Sequence, residues 1–169
     1  IAVDGVYDEF RDMLVEKIGS YEMEDPEKPE CHLGPLARED LRDTVHKQVT
    51  ESVRLGADLV CGGHIPKRAG WWYPPTLLEN ITAGMPAFDD EIFGPVVSLV
   101  RAEDTRRAIA LAGNTRFGLG GGIFTKDSAK GAELATYQID AGCLAVNDFV
   151  RSDPRIPFGG TKSSGFGRE

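Results

Sequence analysis

Segments with helical periodicity alternate with short apolar runs along this sequence, and the alternation limits the fold more than any other feature. Apolar residues recur at helical spacing over 7–18, at Tyr7, Phe10, Leu14 and Ile18. A second helix is predicted from Glu39 to Gly56, with Leu41, Val45, Val49 and Val53 forming one buried stripe. Shorter helices are predicted over 105–112 and 128–137, the last capped by Asp127.

Between the helices lie apolar runs of strand length, at 57–61, 96–100, 119–124 and 143–146. Short strands that are apolar on both faces and alternate with helices are typical of βαβ units. The sequence therefore predicts an α/β fold with a mostly parallel sheet flanked by helices, built as a single domain over residues 1–169. The aromatic cluster at 71–73 is expected to pack in the core of a hairpin-like segment.

The charge of the chain narrows its possible partners. A net charge of −8 disfavours nucleic acid and anionic membranes, because an acidic surface offers neither a counter-charge. No apolar run approaches the length of a membrane span. We expect no nucleic-acid or membrane partner and a cytoplasmic location.

The cysteines and histidines do not predict a metal site. Three cysteines are an odd number and make no disulfide framework. Cys31-His32 and Cys61-x-x-His64 contain zinc-ligand types, but the adjacent Cys31 and His32 cannot easily bind one tetrahedral ion together. A zinc-binding domain remains a weak alternative.

The closing stretch from Pro157 to Glu169 is unusually rich in glycine. Glycine is favoured where the backbone passes close to another group or takes positive φ, which predicts a shaped loop here. Phe158 and Phe166 argue against a flexible tail, because large apolar rings on a loop usually pack or line a pocket. A phosphate-binding P-loop is excluded, since Thr161 separates Gly160 from Lys162.

The closing stretch also resembles the last motif of the NAD(P)-dependent aldehyde dehydrogenase superfamily. Five further motifs follow the order of that family between Gly34 and the C-terminal end: Gly34-Pro35-Leu36, Trp72-Tyr73-Pro74-Pro75-Thr76, Glu91-Ile92-Phe93-Gly94-Pro95-Val96, Asn114-Thr115 with Phe117-Gly118-Leu119, and Gly142 with Val146-Asn147. Each motif is weak alone, and the six together carry the resemblance. It implies an oxidoreductase that converts an aldehyde to a carboxylic acid through a cysteine thioester.

Two loops are expected to carry binding residues at the carboxyl ends of strands, where ligands bind in open α/β sheets. In the loop over 89–95, the resemblance implies that Glu91 binds the ribose hydroxyls of the nicotinamide half of NAD or NADP. A carboxylate suits this role, because it can accept two hydroxyl hydrogen bonds. Phe93 corresponds to the ring beside the nicotinamide.

The second loop, over 147–158, resembles the substrate-entry loop. The resemblance implies that Asn147 ends the strand behind the nucleophile and that Phe158 forms the aromatic wall of the aldehyde tunnel. Many relatives that oxidise apolar aldehydes have an aromatic residue at the position of Ser152, whereas this chain has Arg151-Ser152-Asp153-Pro154-Arg155. Arg151, Ser152 and Arg155 suit a substrate with its own carboxylate, and the pattern resembles succinate-semialdehyde dehydrogenases. The alternative, that both arginines are surface charges paired with Asp153, stays open.

The chain is expected to be a C-terminal piece of a catalytic domain that oligomerises as a dimer or tetramer. It starts at Ile1 within an apparent strand end, and none of Cys31, Cys61 and Cys143 matches the nucleophile of the family. The nucleophile, the general-base glutamate and the dinucleotide-binding domain would lie upstream, and an oligomerisation strand downstream. The fragment alone would be inactive. Another aldehyde, a glutamate-semialdehyde or CoA-acylating reaction, and a non-catalytic assembly module remain alternatives.

Overall fold

The computed structural model describes residues 1–168, and the chain divides into two compact units, Ile1–Asp104 and Thr105–Glu169. The prediction of a single domain stays a prediction. No helix within the described residues is both long and apolar enough to cross a membrane.

The first unit contains three helices and five strands. In chain order they are β1 (Ala2–Val3), α1 (Asp4–Gly19), α2 (Glu39–Arg54), β2 (Asp58–Cys61), β3 (Thr76–Glu79), α3 (Pro86–Asp89), β4 (Val96–Ser98) and β5 (Arg101–Ala102). The central strand β3 pairs antiparallel with β2 and parallel with β4. The short strands β1 and β5 form a parallel pair.

The second unit is built around one parallel βαβ unit. Its elements are α4 (Thr105–Gly113), β6 (Phe117–Gly118), β7 (Gly120–Ile123), α5 (Ser128–Tyr137), β8 (Cys143–Val146) and β9 (Thr161–Lys162). Strand β7 pairs in parallel with β8, and α5 forms the connection between them. Asp127 caps α5 as predicted, since its carboxylate accepts a hydrogen bond from the Lys130 amide at 3.0 Å.

The α/β prediction is confirmed, although the strands are distributed differently from the expected single sheet. Within residues 1–168, three of the five strand pairings are parallel, and the strands form four small sheets. Strand β3 was not predicted from the sequence. It follows Pro74-Pro75 directly, and the aromatic segment at 71–73 is irregular instead of forming a hairpin strand.

One face of α1 packs against the central strand β3 to form the core of the first unit. Tyr7 and Ile18 of α1 are buried against Leu77 and Leu99. Phe10 was predicted to share this face, but its side chain is 48% exposed. Leu14, as predicted, and Val15, which was not predicted, pack against the core. Positions 7, 14 and 18 fall on one helical stripe, and Phe10 lies at its edge.

The buried stripe of α2 is shorter than predicted. Val45 and Val49 are almost completely buried, whereas Val53 is 37% exposed. A step of four residues turns a helix about 40° past a full turn, so a repeat of exactly four drifts off the buried face. Ser52 takes the buried position, and its hydroxyl donates to the Gln48 carbonyl at 2.8 Å.

The predicted core packing of the aromatic segment is confirmed for two of its three rings. Trp72 and Tyr73 are buried, and Trp71 is 37% exposed. The Trp72 indole N–H donates to the Ala69 carbonyl at 2.8 Å, so its burial leaves no unpaired donor. Burial raises the pKa of Tyr73 to about 12, and the Tyr73 hydroxyl lies 3.3 Å from His46 Nδ1.

Candidate active site

Helix α2 supports the loop that carries the predicted cofactor residues. The Ala87 amide donates to the Ser52 hydroxyl at 2.9 Å, and Gln48 Nε2 donates to the Glu91 main-chain carbonyl at 3.3 Å. Farther along the loop, Gly94 lies so close to α2 that an added Cβ would stand 2.7 Å from Val45 Cγ2. The segment is therefore held by its backbone along one helix face.

The loop over 89–95 does not lie at the carboxyl ends of strands, where it was expected. It precedes β4, and the Thr76 amide at the start of β3 donates to the Pro95 carbonyl at 2.9 Å. Because β3 and β4 are parallel, the loop lies at their amino ends and not at their carboxyl ends. The expected position at the carboxyl ends of strands was therefore wrong, because this loop comes before β4 in the chain.

The side chains of Glu91 and Phe93 point away from these anchors. Glu91 is exposed, and its carboxylate has no hydrogen-bonding partner among residues 1–168. The Phe93 ring is 71% exposed. A carboxylate with free lone pairs can accept ribose hydroxyls, and an exposed ring can cover a flat heterocycle, so both residues fit a nicotinamide nucleotide.

The second predicted loop does lie at the carboxyl ends of parallel strands, after β8 and beside the end of β7. Its first residue, Asn147, has a φ of 56°. The Asn147 side chain accepts a hydrogen bond from the Thr125 amide at 2.8 Å and donates to the Ser128 hydroxyl at 3.2 Å. Asn147 thus ties the end of β8 to the turn that leads into α5.

The two arginines of this loop are paired with carboxylates of the same loop. Arg155 makes a bidentate pair with Asp153, with an Nη2–Oδ2 distance of 2.6 Å. Hydrogen bonds from Arg155 are the largest cause that lowers the pKa of Asp153 below its ordinary value. Arg151 lies 3.4 Å from Asp148 and is exposed. The alternative that Arg155 pairs with Asp153 at the surface is therefore what the structure shows. Arg151 is also paired at the surface, but with Asp148 and not with Asp153.

The remaining predicted substrate residues differ in exposure. Ser152 is exposed and Phe158 is half-buried. Phe149, which was not predicted, packs edge-on against Phe124 at a ring distance of 5.8 Å, and both rings are largely exposed. Phe124 directly follows β7, far from Phe149 along the chain, so no local pattern could predict that these rings would meet.

The glycine-rich closing stretch is a packed element, as predicted. Strand β9 pairs with β6, and an added Cβ on Gly142 would stand only 1.6 Å from the Gly159 carbonyl oxygen. Lys162 Nζ donates to the carbonyls of Gly113 and Thr115 at the end of α4, which is unlike the role of a P-loop lysine. The expectation for Phe166 was wrong, because its ring is fully exposed.

Three of the four residues considered as zinc ligands, Cys31, His32 and His64, have protein partners. The Cys31 thiol donates to the Glu24 carbonyl at 3.1 Å, and His32 stacks on Tyr21. His64 Nδ1 lies 3.1 Å from the Gly62 carbonyl, to which it donates. Within the part of the chain that the structure describes, no group of three or more His, Cys, Asp and Glu side chains is arranged to hold a metal ion.

A polar cavity of about 400 Å³ in the first unit is lined by charged groups that bind one another. Glu79 accepts hydrogen bonds from Arg11 and from the Tyr7 hydroxyl. Arg101 stacks over the Tyr7 ring at 3.8 Å and pairs with Asp8. These contacts join α1 to the strands β3 and β5, and we assign the cavity a structural role.

The whole chain matches the model of the aldehyde dehydrogenase family over residues 1–169. The chain belongs to the aldehyde dehydrogenase family.

Its curated relatives include two succinate-semialdehyde dehydrogenases. It is 41% identical over its full length to the NADP(+) enzyme 1 of Mycobacterium ulcerans and to the NAD(P)+ enzyme Sad of Escherichia coli, and it covers 37% and 36% of those proteins. The chain therefore spans about a third of the length of these relatives.

Solved structures of the family have the same fold. The succinic semialdehyde dehydrogenase of Streptococcus pyogenes in complex with NADP+ is similar with a TM-score of 0.93 at 33% identity, over 98% of this chain and 36% of that one. A Mycobacterium tuberculosis aldehyde dehydrogenase complexed with NAD+ gives 0.92 at 33% identity, over 99% of this chain and 35% of that one.

Proposed function

We propose that this chain is part of the catalytic domain of an NAD(P)-dependent aldehyde dehydrogenase that oxidises succinate semialdehyde to succinate. The observation that carries the proposal is the match of the entire chain to the family, together with two succinate-semialdehyde dehydrogenases at 41% identity. In the reaction, the aldehyde carbon loses a hydride and gains an oxygen atom from water. Aldehyde, NAD(P)+ and water thus give the carboxylic acid, NAD(P)H and a proton.

In this proposal the first unit supplies contacts to the nicotinamide nucleotide. The cofactor supplies the hydride acceptor when it is bound. The Glu91 carboxylate would accept hydrogen bonds from the ribose hydroxyls of the cofactor, and the exposed Phe93 ring would offer an apolar surface to its nicotinamide. Support comes from the exposure of both side chains and from the backbone anchors that leave them free.

The second unit supplies the substrate-binding residues Asn147, Arg151, Ser152, Arg155 and Phe158 in this proposal. Arg151 is the better placed of the two arginines to bind a substrate carboxylate, because its contact with Asp148 is a single long one. Arg155 is engaged by Asp153 through both oxygen atoms. The Ser152 hydroxyl can donate a further hydrogen bond, and Phe158 offers an apolar wall.

The nucleophilic cysteine and the general base are proposed to lie in a part of the polypeptide outside this chain. The Cys31 thiol acts as a hydrogen-bond donor, while Cys61 and Cys143 lie within β2 and β8. The coverage of about a third of each relative supports a longer parent protein. Peptide mass mapping of the protein from its source cells tests this point, and a native chain that starts at Ile1 would contradict it.

Substrate choice is tested by Arg151→Ala and Ser152→Ala in the complete polypeptide that carries this sequence. We expect KM for succinate semialdehyde to rise about tenfold for Arg151→Ala, since a hydrogen bond to a charged group contributes about 1.5 kcal/mol or more. KM for an uncharged aldehyde of similar length should stay unchanged. Arg106→Ala, which removes an exposed arginine from α4, is the matched control. Equal effects on both aldehydes would exclude the carboxylate role and favour another aldehyde.

A further inference from the structure

We infer that Gln48 of α2 is a positioning residue for the cofactor, and that it acts by fixing the main chain at Glu91. The inference rests on the proposed function, in which Glu91 and Phe93 contact the nicotinamide nucleotide. Gln48 itself touches neither side chain through a hydrogen bond. Its Nε2 donates to the Glu91 carbonyl at 3.3 Å, across 43 residues of sequence.

Helix α2 contacts the segment that leads into and through the loop at three points, and Gln48 provides the contact at Glu91 itself. Ser52 holds the start of α3 through the Ala87 amide, and Val45 packs against Gly94 at the end of the loop. Residues 45, 48 and 52 lie on one face of α2, since they follow the i, i+3, i+7 spacing of a helix. Between these two outer contacts, the hydrogen bond from the Gln48 amide joins α2 to the backbone of residue 91.

The amide oxygen of Gln48 lowers the stability of the fold, so a purely structural role is a poor explanation for this residue. Gln48 Oε1 is buried and has no hydrogen-bonding partner among residues 1–168. A buried acceptor without a partner lowers stability, whereas an apolar side chain of the same length would not. A residue that costs stability and anchors a functional loop is typical of a position kept for function.

The test variant is Gln48→Met in the complete polypeptide. Methionine has nearly the length and helix propensity of glutamine, so α2 should persist while the donor and the unpaired acceptor are both removed. We expect Kd for NAD(P)+, measured by quenching of protein fluorescence, to rise about 3–10-fold, the range of one net hydrogen bond. The melting temperature should stay the same or rise. Amide hydrogen exchange over 90–94 should become faster.

Two further variants keep the result interpretable. Gln138→Met makes the same chemical change at the exposed end of α5 and should leave Kd and exchange unchanged. Gln48→Lys restores a donor without the amide oxygen, and should return Kd to within about twofold of the wild-type value. An unchanged Kd and exchange rate in Gln48→Met would overturn the inference. So would a fall in melting temperature shared by Gln48→Met and Gln48→Lys.

Failure of this inference can be separated from failure of the proposed function through Glu91→Gln. If Glu91→Gln weakens cofactor binding and Gln48→Met does not, Gln48 has no positioning role and the function stands. If Glu91→Gln leaves cofactor binding unchanged, the assignment of Glu91 itself is wrong. In that case faster exchange in Gln48→Met would show only a structural anchor, which also overturns the inference.

Discussion

Replacing Gly142 by alanine tests the packing of the closing stretch most directly. The added Cβ would stand 1.6 Å from the carbonyl oxygen of Gly159, 2.7 Å from its carbonyl carbon and 3.1 Å from the Cα of Gly160. All three atoms belong to the backbone, so no side-chain rotation can relieve the overlap. The closing segment must move as a whole, and Phe158 precedes Gly159 directly.

The size of the effect follows from the contacts that such a movement breaks. A contact at 1.6 Å must open by more than 1 Å to reach an ordinary separation, which places the overlap at the upper end of overpacking, about 3 kcal/mol. The hydrogen bonds from the Gly142 amide to Gly118 and from Arg168 to the Gly142 carbonyl would weaken as well. At about 1 kcal/mol each, they bring the expected destabilisation to about 3–5 kcal/mol.

The assay is urea unfolding of the complete polypeptide, combined with kcat/KM for succinate semialdehyde. Gly113→Ala is the matched control in the same unit, because nothing lies within 4 Å of its added Cβ. We expect Gly142→Ala to lower the unfolding midpoint and kcat/KM, and Gly113→Ala to leave both nearly unchanged. If the two variants behaved alike, the close approach of Gly142 and Gly159 would be wrong for the protein in solution.

Two further predictions concern the first unit. Glu91→Gln should slow hydride transfer more than it raises KM for the aldehyde, because it loosens the ribose of the cofactor; single-turnover kinetics measure this, and unchanged turnover would reject the Glu91 assignment. The raised pKa of Tyr73, about 12 against an ordinary value of about 10, contributes stability that is present below pH 10 and lost as the pH rises towards 12. The loss should amount to about 3 kcal/mol. Tyr73→Phe should reduce this loss of unfolding free energy at alkaline pH. A smaller loss should remain, because the pKa of Tyr7 is also raised. An unchanged pH profile would contradict the role of Tyr73.

Local patterns predicted the elements well and their contacts poorly. The cap at Asp127 and the strand β8 were predicted because their causes lie within a few residues. Strand β3 was missed, since the prolines at 74 and 75 mask the run that follows. Phe10 was misplaced because a helical stripe has several possible registers, and only the packing of α1 selects one.

In the two predicted binding loops as well, the sequence predicted residue types better than their contacts. The resemblance to the family identified Glu91 and Phe93 by residue type. The expected carboxyl-end position of their loop was wrong because the loop precedes β4 in the chain, which the order of the sequence already shows. Gln48 could not be found from sequence alone, because its partner is 43 residues away and glutamine is common on exposed helix faces. The ion pairs of Arg151 and Arg155 were an open alternative, since sequence spacing permits them without requiring them.

The pairing of Arg155 with Asp153 affects how a carboxylate ligand could bind to the loop over 147–158. Asp153 accepts hydrogen bonds from Nε and Nη2 of Arg155, so a carboxylate ligand that bound this same edge of the guanidinium would have to displace Asp153. Such an exchange conserves the number of charge-assisted hydrogen bonds at the arginine, and its driving force must come from the rest of the ligand. Small anions such as acetate would gain little from displacing Asp153. Under the proposed function, Arg155 would therefore respond to the rest of the ligand more than to its charge, and Arg151 would remain the residue that reads the substrate carboxylate.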